Sequence, residues 1–357
     1  MRPCESSPLP RPALPAGRVA FRLGTLLLAA TCAAAPPAPP VASAPAAARP
    51  ATSRPASQSA SSAAPALTAF QPGVRIDWRA PAVCVDTRVA LRSGPLEFFA
   101  CFPGREHESV LLIQATAVHV YQALGLIGLT PGTPPRWDEP NQAFADATGD
   151  LVDVSCMWED AGVTRQVPAA EWMRAVEYGR PPLPRPWVFA GSLVRPDGSL
   201  AADASGAGVA VVDFADVLLA YSRHFDSHNE DLWVTANAAA IPPAGTPVTL
   251  VLRPAAAPSH RFALEGPGVC RVDGHFTAPE DFADLVYLQR RLKPDALVTV
   301  SVSGVLEADV AELAALLAGA GVPADALRWQ REPLASQPAS QPAPPHVPTS
   351  GPAGATP

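Results

Sequence analysis

Between about Phe70 and Glu332 hydrophobic and polar positions alternate at the density of a folded chain, and two periods can be separated. Short runs with β-branched or aromatic residues predict strands over 83–91, 96–102, 108–114, 151–158, 187–193, 208–212, 232–236 and 246–252. A helix is predicted from Ala117 to Leu129, capped by Thr116, and another from Ala169 to Tyr178 with Pro168 at its start. The first is apolar almost all round, with His119 and Gln122 its only strongly polar members, which marks a buried helix. A hairpin turning at Ser93-Gly94 would join the first two strands.

After Pro254 the pattern becomes a regular alternation of strand and helix. Asp273-Gly274 between Val269–Val272 and His275-Phe276 is a strong hairpin signal. Thr277 to Glu280 reads as a capping box opening a helix to about Arg291. A strand over 297–303, a helix over 307–320 stopped by Gly321, and a strand over 326–329 follow. The expected fold class is α+β: a mixed, strand-rich first domain over 69–254, a linker over 255–261, and a small α/β sandwich over 262–332.

The two ends differ from this middle. Arg11, Arg18 and Arg22 precede an apolar run from Leu23 to Ala35 that closes on small residues, the layout of a secretory signal peptide over 1–35. The run is 13 residues, short of the ~20 a helix needs to cross a bilayer. Cys32, after Leu28-Ala29-Ala30-Thr31, resembles the acylated cysteine of bacterial lipoproteins, although Ala29 and Thr31 stand where that box has Leu and a smaller residue. Cys32 is therefore the candidate lipidation site, with cleavage after Ala35 as the alternative. Residues 36–68 are Ala, Pro and Ser with almost no large apolar side chain and read as a disordered tether, and 333–357 as a disordered Pro-rich tail. The expected location is extracytoplasmic, periplasmic or anchored to the envelope through lipid at Cys32.

Net charge is -7, and the first 35 residues hold four arginines against one glutamate, so the remainder is more acidic still. That argues against nucleic acid as a partner. Removal of the leader leaves Cys84, Cys101, Cys156 and Cys270, which admit three full pairings. In the expected hairpin Cys84 and Cys101 lie diagonally, ~7 to 8 Å apart, too far for a disulfide without a bulge. There is no CxxC and no ferredoxin-type cysteine cluster. G-x-S-x-G and Gly-rich phosphate loops are absent, so no catalytic residues are assigned.

Two groups could carry chemistry. If Cys101 and His107 flank a tight connection they become cross-strand neighbours about 5 Å apart, a thiolate and imidazole able to bind a soft metal or act as an activated nucleophile pair. Glu97 shares their face but lies about 13 Å along the strand. The other reading of this block is a buried Cys, a turn His and a Glu satisfied by backbone or Arg105. The second group runs from His224 through Asp226 and His228 to Glu230 and Asp231. As a strand it presents His224, Asp226, His228 and Glu230 on one face; as a helix, His224, His228 and Asp231. Either is a candidate metal site, and a solvated loop is the alternative.

The blocks Gly94-Pro95-Leu96-Glu97, Cys101 to Ser109, Ala123 to Gly128, Trp187 to Ser192 and Pro242 to Val248 resemble YdjY-like domains in the same order. That resemblance implies a fold unit over about 74–254 and no assigned reaction. Val272-Asp273-Gly274, Asp295 to Val298 and Leu316 to Val322 resemble the periplasmic domain of ExbD and TolR proteins, which implies contact with envelope proteins or peptidoglycan. The transmembrane helix and essential Asp of that motor are missing, so the motor role does not carry over. The functional expectation is an exported envelope protein acting as a non-catalytic binding or scaffold module. The alternative is a metal or redox protein using Cys101 and His107 or the 224–231 cluster. No cofactor is assigned.

Overall fold

The structure is a computed structural model that describes residues 67–140, 142–225, 232–256 and 259–331. Eleven strands form one hydrogen-bonded sheet, and part of it closes into a ring. Ala82–Val89 pairs with Pro247–Pro254, which pairs with Leu151–Asp160. Trp187–Phe189, Leu219–Tyr221, Val209–Ala210, Phe98–Cys101 and Ser109–Ile113 follow in turn. The last pairs back onto Thr87, Arg88 and Val89. The hairpin of Leu67–Gln71 and Val74–Asp77 takes the other half of the same edge, and Val163–Pro168 extends the sheet beside Leu151–Asp160.

The ring buries side chains on both faces, which is why several of its strands read as unbroken apolar runs rather than alternations. Val85, Phe99, Leu111, Val154, Trp187, Phe189, Leu219 and Leu250 belong to one core cluster. Phe98, Cys101, Leu112, Val188, Ala210 and Ala220 belong to another. Each large side chain so buried contributes ~1.5–3 kcal/mol. Helix α1 (Ala117–Leu126) packs Ala117, Val120, Ala123 and Leu124 into the first cluster. The backbone N–H of His119 donates to Thr116 Oγ1 at 3.4 Å, as the sequence predicts. Asp203 in the short helix α2 (Ala201–Ser205) accepts from the Ala117 N–H at 2.6 Å and ties the two helices together.

Residues 262–331 build a five-stranded sheet in the order His275–Thr277, Cys270–Val272, Phe262–Leu264, Val298–Val302, Leu327–Arg331. Helices α3 (Pro279–Leu292) and α4 (Glu307–Gly319) supply Phe282, Leu285, Val286, Leu313 and Leu317 to its core. Asp273 and Gly274 hold φ of 55° and 84°, the paired positive values of a type I′ hairpin turn. Asp273 is fixed there by the Arg261 N–H at 2.9 Å and by His260 Nδ1 at 2.7 Å. Leu288 of α3, with Leu292 against it, joins the cluster of Phe98, Val188 and Ala220, so this helix also packs on the ring.

Three sequence expectations are corrected. The hairpin at Ser93-Gly94 does not form, because Phe98–Cys101 lies between Val209–Ala210 and Ser109–Ile113. Pro95 has no N–H to give a ladder, and the segment crosses to the 234–236 strand instead, where the Ala236 N–H donates to Gly94 O at 2.9 Å. The helix expected over 169–178 is a 3₁₀ turn, Ala169–Trp172, followed by the strand Met173–Ala175 paired with Val234–Ala236. Helix propensity is a weak prior, and here strand pairing overrides it. The Thr277 capping box also fails, since Thr277 Oγ1 donates to His275 O and α3 starts from Ala278 with Pro279 as its first residue.

Candidate functional site

Cys101 and His107 are not brought together as cross-strand neighbours. Their two strands are parallel, which places Leu112 opposite Cys101 and Ser109 opposite Phe98. The antiparallel turn the sequence suggests would have to fit into 102–108, but those residues carry the chain back to start a parallel strand. His107 sits on the 3₁₀ turn Glu106–Glu108 with its side chain 74% exposed. Cys101 is fully buried, and burial pushes its thiol up to about 11, so it is a protonated thiol near neutral pH. Cys84, Cys156 and Cys270 are likewise buried free thiols.

The polar residues of this block form a different group. Arg105 Nη1 donates to Glu108 Oε1 at 2.7 Å and stands 3.7 Å from Glu97 Oε2. Its guanidinium lies 5.7 Å from the ring centroids of both Phe98 and Phe214, which stack at 4.6 Å, and Nε donates to Ser205 O. Glu97 is pushed up to about 7, first by burial and then by the neighbouring Glu108 carboxylate. The arrangement is a clamp in which one arginine joins two neighbouring carboxyl groups to the end of α2, and a protonated Glu97 can donate to Glu108. The reading of Glu97 as a group satisfied by Arg105 is thus supported geometrically, with Glu108 as an added partner.

His224 is paired, though not with the loop partners the sequence offers. Its Nδ1 lies 2.5 Å from Asp213 Oδ2, and its ring packs on Phe144 with centroids 4.0 Å apart. The Phe225 N–H also donates to Asp213 Oδ2, at 2.8 Å, while burial pushes the Asp213 carboxyl up to about 6. Asp226, His228, Glu230 and Asp231 lie outside the described residues, as does Cys32. Among the described residues no three His, Cys, Asp or Glu side chains are grouped to hold a metal ion.

Aromatic and charged groups gather where the ring meets α3. A cleft of about 350 Å³ is lined by residues 175–185 of the segment leading to Trp187, by Tyr221, Arg223, Phe225 and Trp233, and by Phe276, Asp281 and Leu285 from the C-terminal sheet and α3. Arg223 lies over the Phe225 ring at 4.8 Å, and Phe225 stacks on Trp233 at 4.3 Å and 10°. The Trp233 indole N–H donates to Val211 O at 2.8 Å and anchors this stack to the ring. Asp281, in the first turn of α3, accepts from Arg185 Nη2 at 3.2 Å and pairs with Arg223. The Arg185 side chain is 5% exposed, and its Nη1 has no hydrogen-bond partner among the described residues. The Tyr178 hydroxyl is buried nearby, against the Glu177 carboxylate and the Ala278 backbone.

The sequence did not mark these residues. Arg185 stands in Arg180-Pro-Pro-Leu-Pro-Arg-Pro, a run that reads as loop, and Asp213, the partner of His224, lies outside the block the sequence singles out. The one available signal was a large basic residue held between prolines, where backbone freedom is already small. No curated protein and no solved structure matches the chain. The family model for the YdjY domain matches residues 74–253, which takes in the closed ring and the Glu97 to Ser109 block. On that match, the chain belongs to the YdjY domain family.

Proposed function

We propose that this chain is an exported cell-envelope protein that acts as a binding module, and that its ligand site is the cleft between the ring and α3. One observation carries the reading: a concave, aromatic-lined space with a buried arginine that has hydrogen-bonding capacity to spare. Small-molecule sites combine a mostly apolar wall with few, fixed polar groups in just this way. Export is supported by the arginine-then-apolar leader before residue 36, with Cys32 as the lipid attachment point. Residues 262–331 form a second domain in this reading, and their resemblance to the periplasmic domain of ExbD and TolR proteins supports contact with an envelope protein or peptidoglycan.

The test is a thermal-shift screen of chemically diverse small molecules on the full chain and on Phe276→Ala, whose parent side chain is 48% exposed at the cleft. Compounds that raise the melting temperature of the parent should lose their effect in the variant. Hits that ignore the variant would refute the site. Metal analysis of the same preparation addresses the competing class: a stoichiometric ion lost on His224→Ala would replace the binding reading with a metal protein.

A further inference from the structure

The cleft between the ring and α3 shows apolar surface to solvent. Val176 and Phe276 line it and are 59% and 48% exposed. Phe225 and Trp233, stacked on each other and only partly buried, line it as well. Charge does not select an occupant. Arg180, Arg185 and Arg223 stand against Glu177, Asp281 and Asp284, the last of which lies 3.9 Å from Arg185 and 4.0 Å from Arg223. A neutral, apolar occupant suits such a lining. Aromatic-lined grooves take proline-rich segments, because a polyproline II helix is already extended and loses little entropy on binding.

The chain carries such a segment. Pro342-Ala-Pro-Pro-His-Val-Pro348 holds four prolines and no Lys, Arg, Asp or Glu. Its root is on the sheet that bears Phe276. Leu327–Arg331 and His275–Thr277 are the two edges of that five-stranded sheet, four strand spacings or ~19 Å apart. The residues from Glu332 to Gln341 span ~31 Å at the polyproline II rise, enough to cross from one edge to the other. The other proline-rich stretch, Pro36 to Pro40, precedes Leu67, which belongs to the hairpin on the ring. Building on the cleft as the binding site, we propose that residues 342–348 of the same chain occupy it, and that an outside ligand binds only by displacing them. A tether of this length gives its end an effective concentration on the order of 1 mM, so a segment whose free peptide dissociates at ~0.1 mM weakens any competitor about tenfold.

Calorimetric titration with the acetylated and amidated peptide Gln341 to Pro348 tests the proposal on two full-length chains, the parent and a variant combining Pro342→Gly, Pro344→Gly, Pro345→Gly and Pro348→Gly. The peptide should bind the variant about tenfold more tightly, since only the parent holds a competing segment, and that ratio should not change with protein concentration. Adding Phe276→Ala to the variant should weaken the peptide severalfold. Equal binding to the two chains, or no binding to the variant, would overturn the segment as occupant. A ratio that grows with protein concentration would give the cleft to the segment of a second copy, and tighter binding of a peptide spanning Pro36 to Val41 would give it to the N-terminal arm. Either result overturns occupation by 342–348 of the same chain. A screening hit that depends on Phe276 would still leave the cleft standing as a site in each of these cases. If no hit does, and Phe276→Ala leaves peptide binding unchanged, both the occupant and the site fall.

Discussion

Replacing Glu97 by Gln should make the protein more stable, and only above a defined pH. Glu97 rises from an ordinary 4.5 to about 7 in the fold, so between those values the folded chain holds a proton that the unfolded chain has released. A carboxyl with a raised pKa contributes nothing adverse below about 4.5, then costs stability as pH rises, until the cost levels off above about 7. At 1.36 kcal/mol per unit the full cost is about 3 kcal/mol. Gln has the shape of the protonated acid and can give Glu108 the same hydrogen bond without a second charge. Urea unfolding of parent and Glu97→Gln at pH 4.5, 6, 7 and 8 should give curves that nearly coincide at the lowest pH. The variant should lead by up to about 3 kcal/mol at pH 8. A gap that is constant with pH, or a variant less stable at pH 8, would refute the raised Glu97 pKa.

Two further outcomes test the packing. Cys84, Cys101, Cys156 and Cys270 should resist iodoacetamide in the folded protein and react fully in urea, read by peptide mass mapping. With the Cys101 thiol near 11, its thiolate fraction at neutral pH should be about a hundredfold below that of a free cysteine. Native labelling of Cys101 at the rate of an exposed thiol would place it outside the core. Gly149→Ala should cost more than about 3 kcal/mol in urea melts or abolish soluble protein. A Cβ there would lie 2.1 Å from Phe189 O at a φ of +131°. Gly162→Ala, with φ +81° but open space around it, should cost only ~1–2 kcal/mol, and equal losses at both sites would contradict the close approach.

The sequence disclosed whatever is encoded locally. The Thr116 cap, the Asp273-Gly274 turn and the Val298–Val302 strand are each set by a few adjacent residues, and each stands in the structure where the pattern put it. The failures share a cause. The 3₁₀ turn at Ala169–Trp172 and the path of Gly94-Pro95 are both decided by the 234–236 strand, about 65 and 140 residues further along, which no local window includes. Strands of two or three residues, such as Val209–Ala210 and Leu219–Tyr221, are too short to show a period. The site was hidden for the same reason. Tyr178, Arg185, Arg223 and Asp281 become neighbours only once α3 has docked on the ring, whereas Cys101 and His107, close in sequence, are separated by a parallel crossover.

The ring fixes an order of events for any chain delivered from its N terminus. Thr87 donates to Val248 O across 161 residues, and the strand of Val248 lies between Ala82–Val89 and Leu151–Asp160. Until residue 254 has emerged from a ribosome or a translocation pore, two of the ring's edges have nothing to pair with. Waiting strands with open edges are where chains aggregate, and distant pairings form slowly. Assembly therefore runs nearly to the end of the YdjY domain before it can finish, and a helper that shields strand edges during that interval should raise yield more than any change to the finished core.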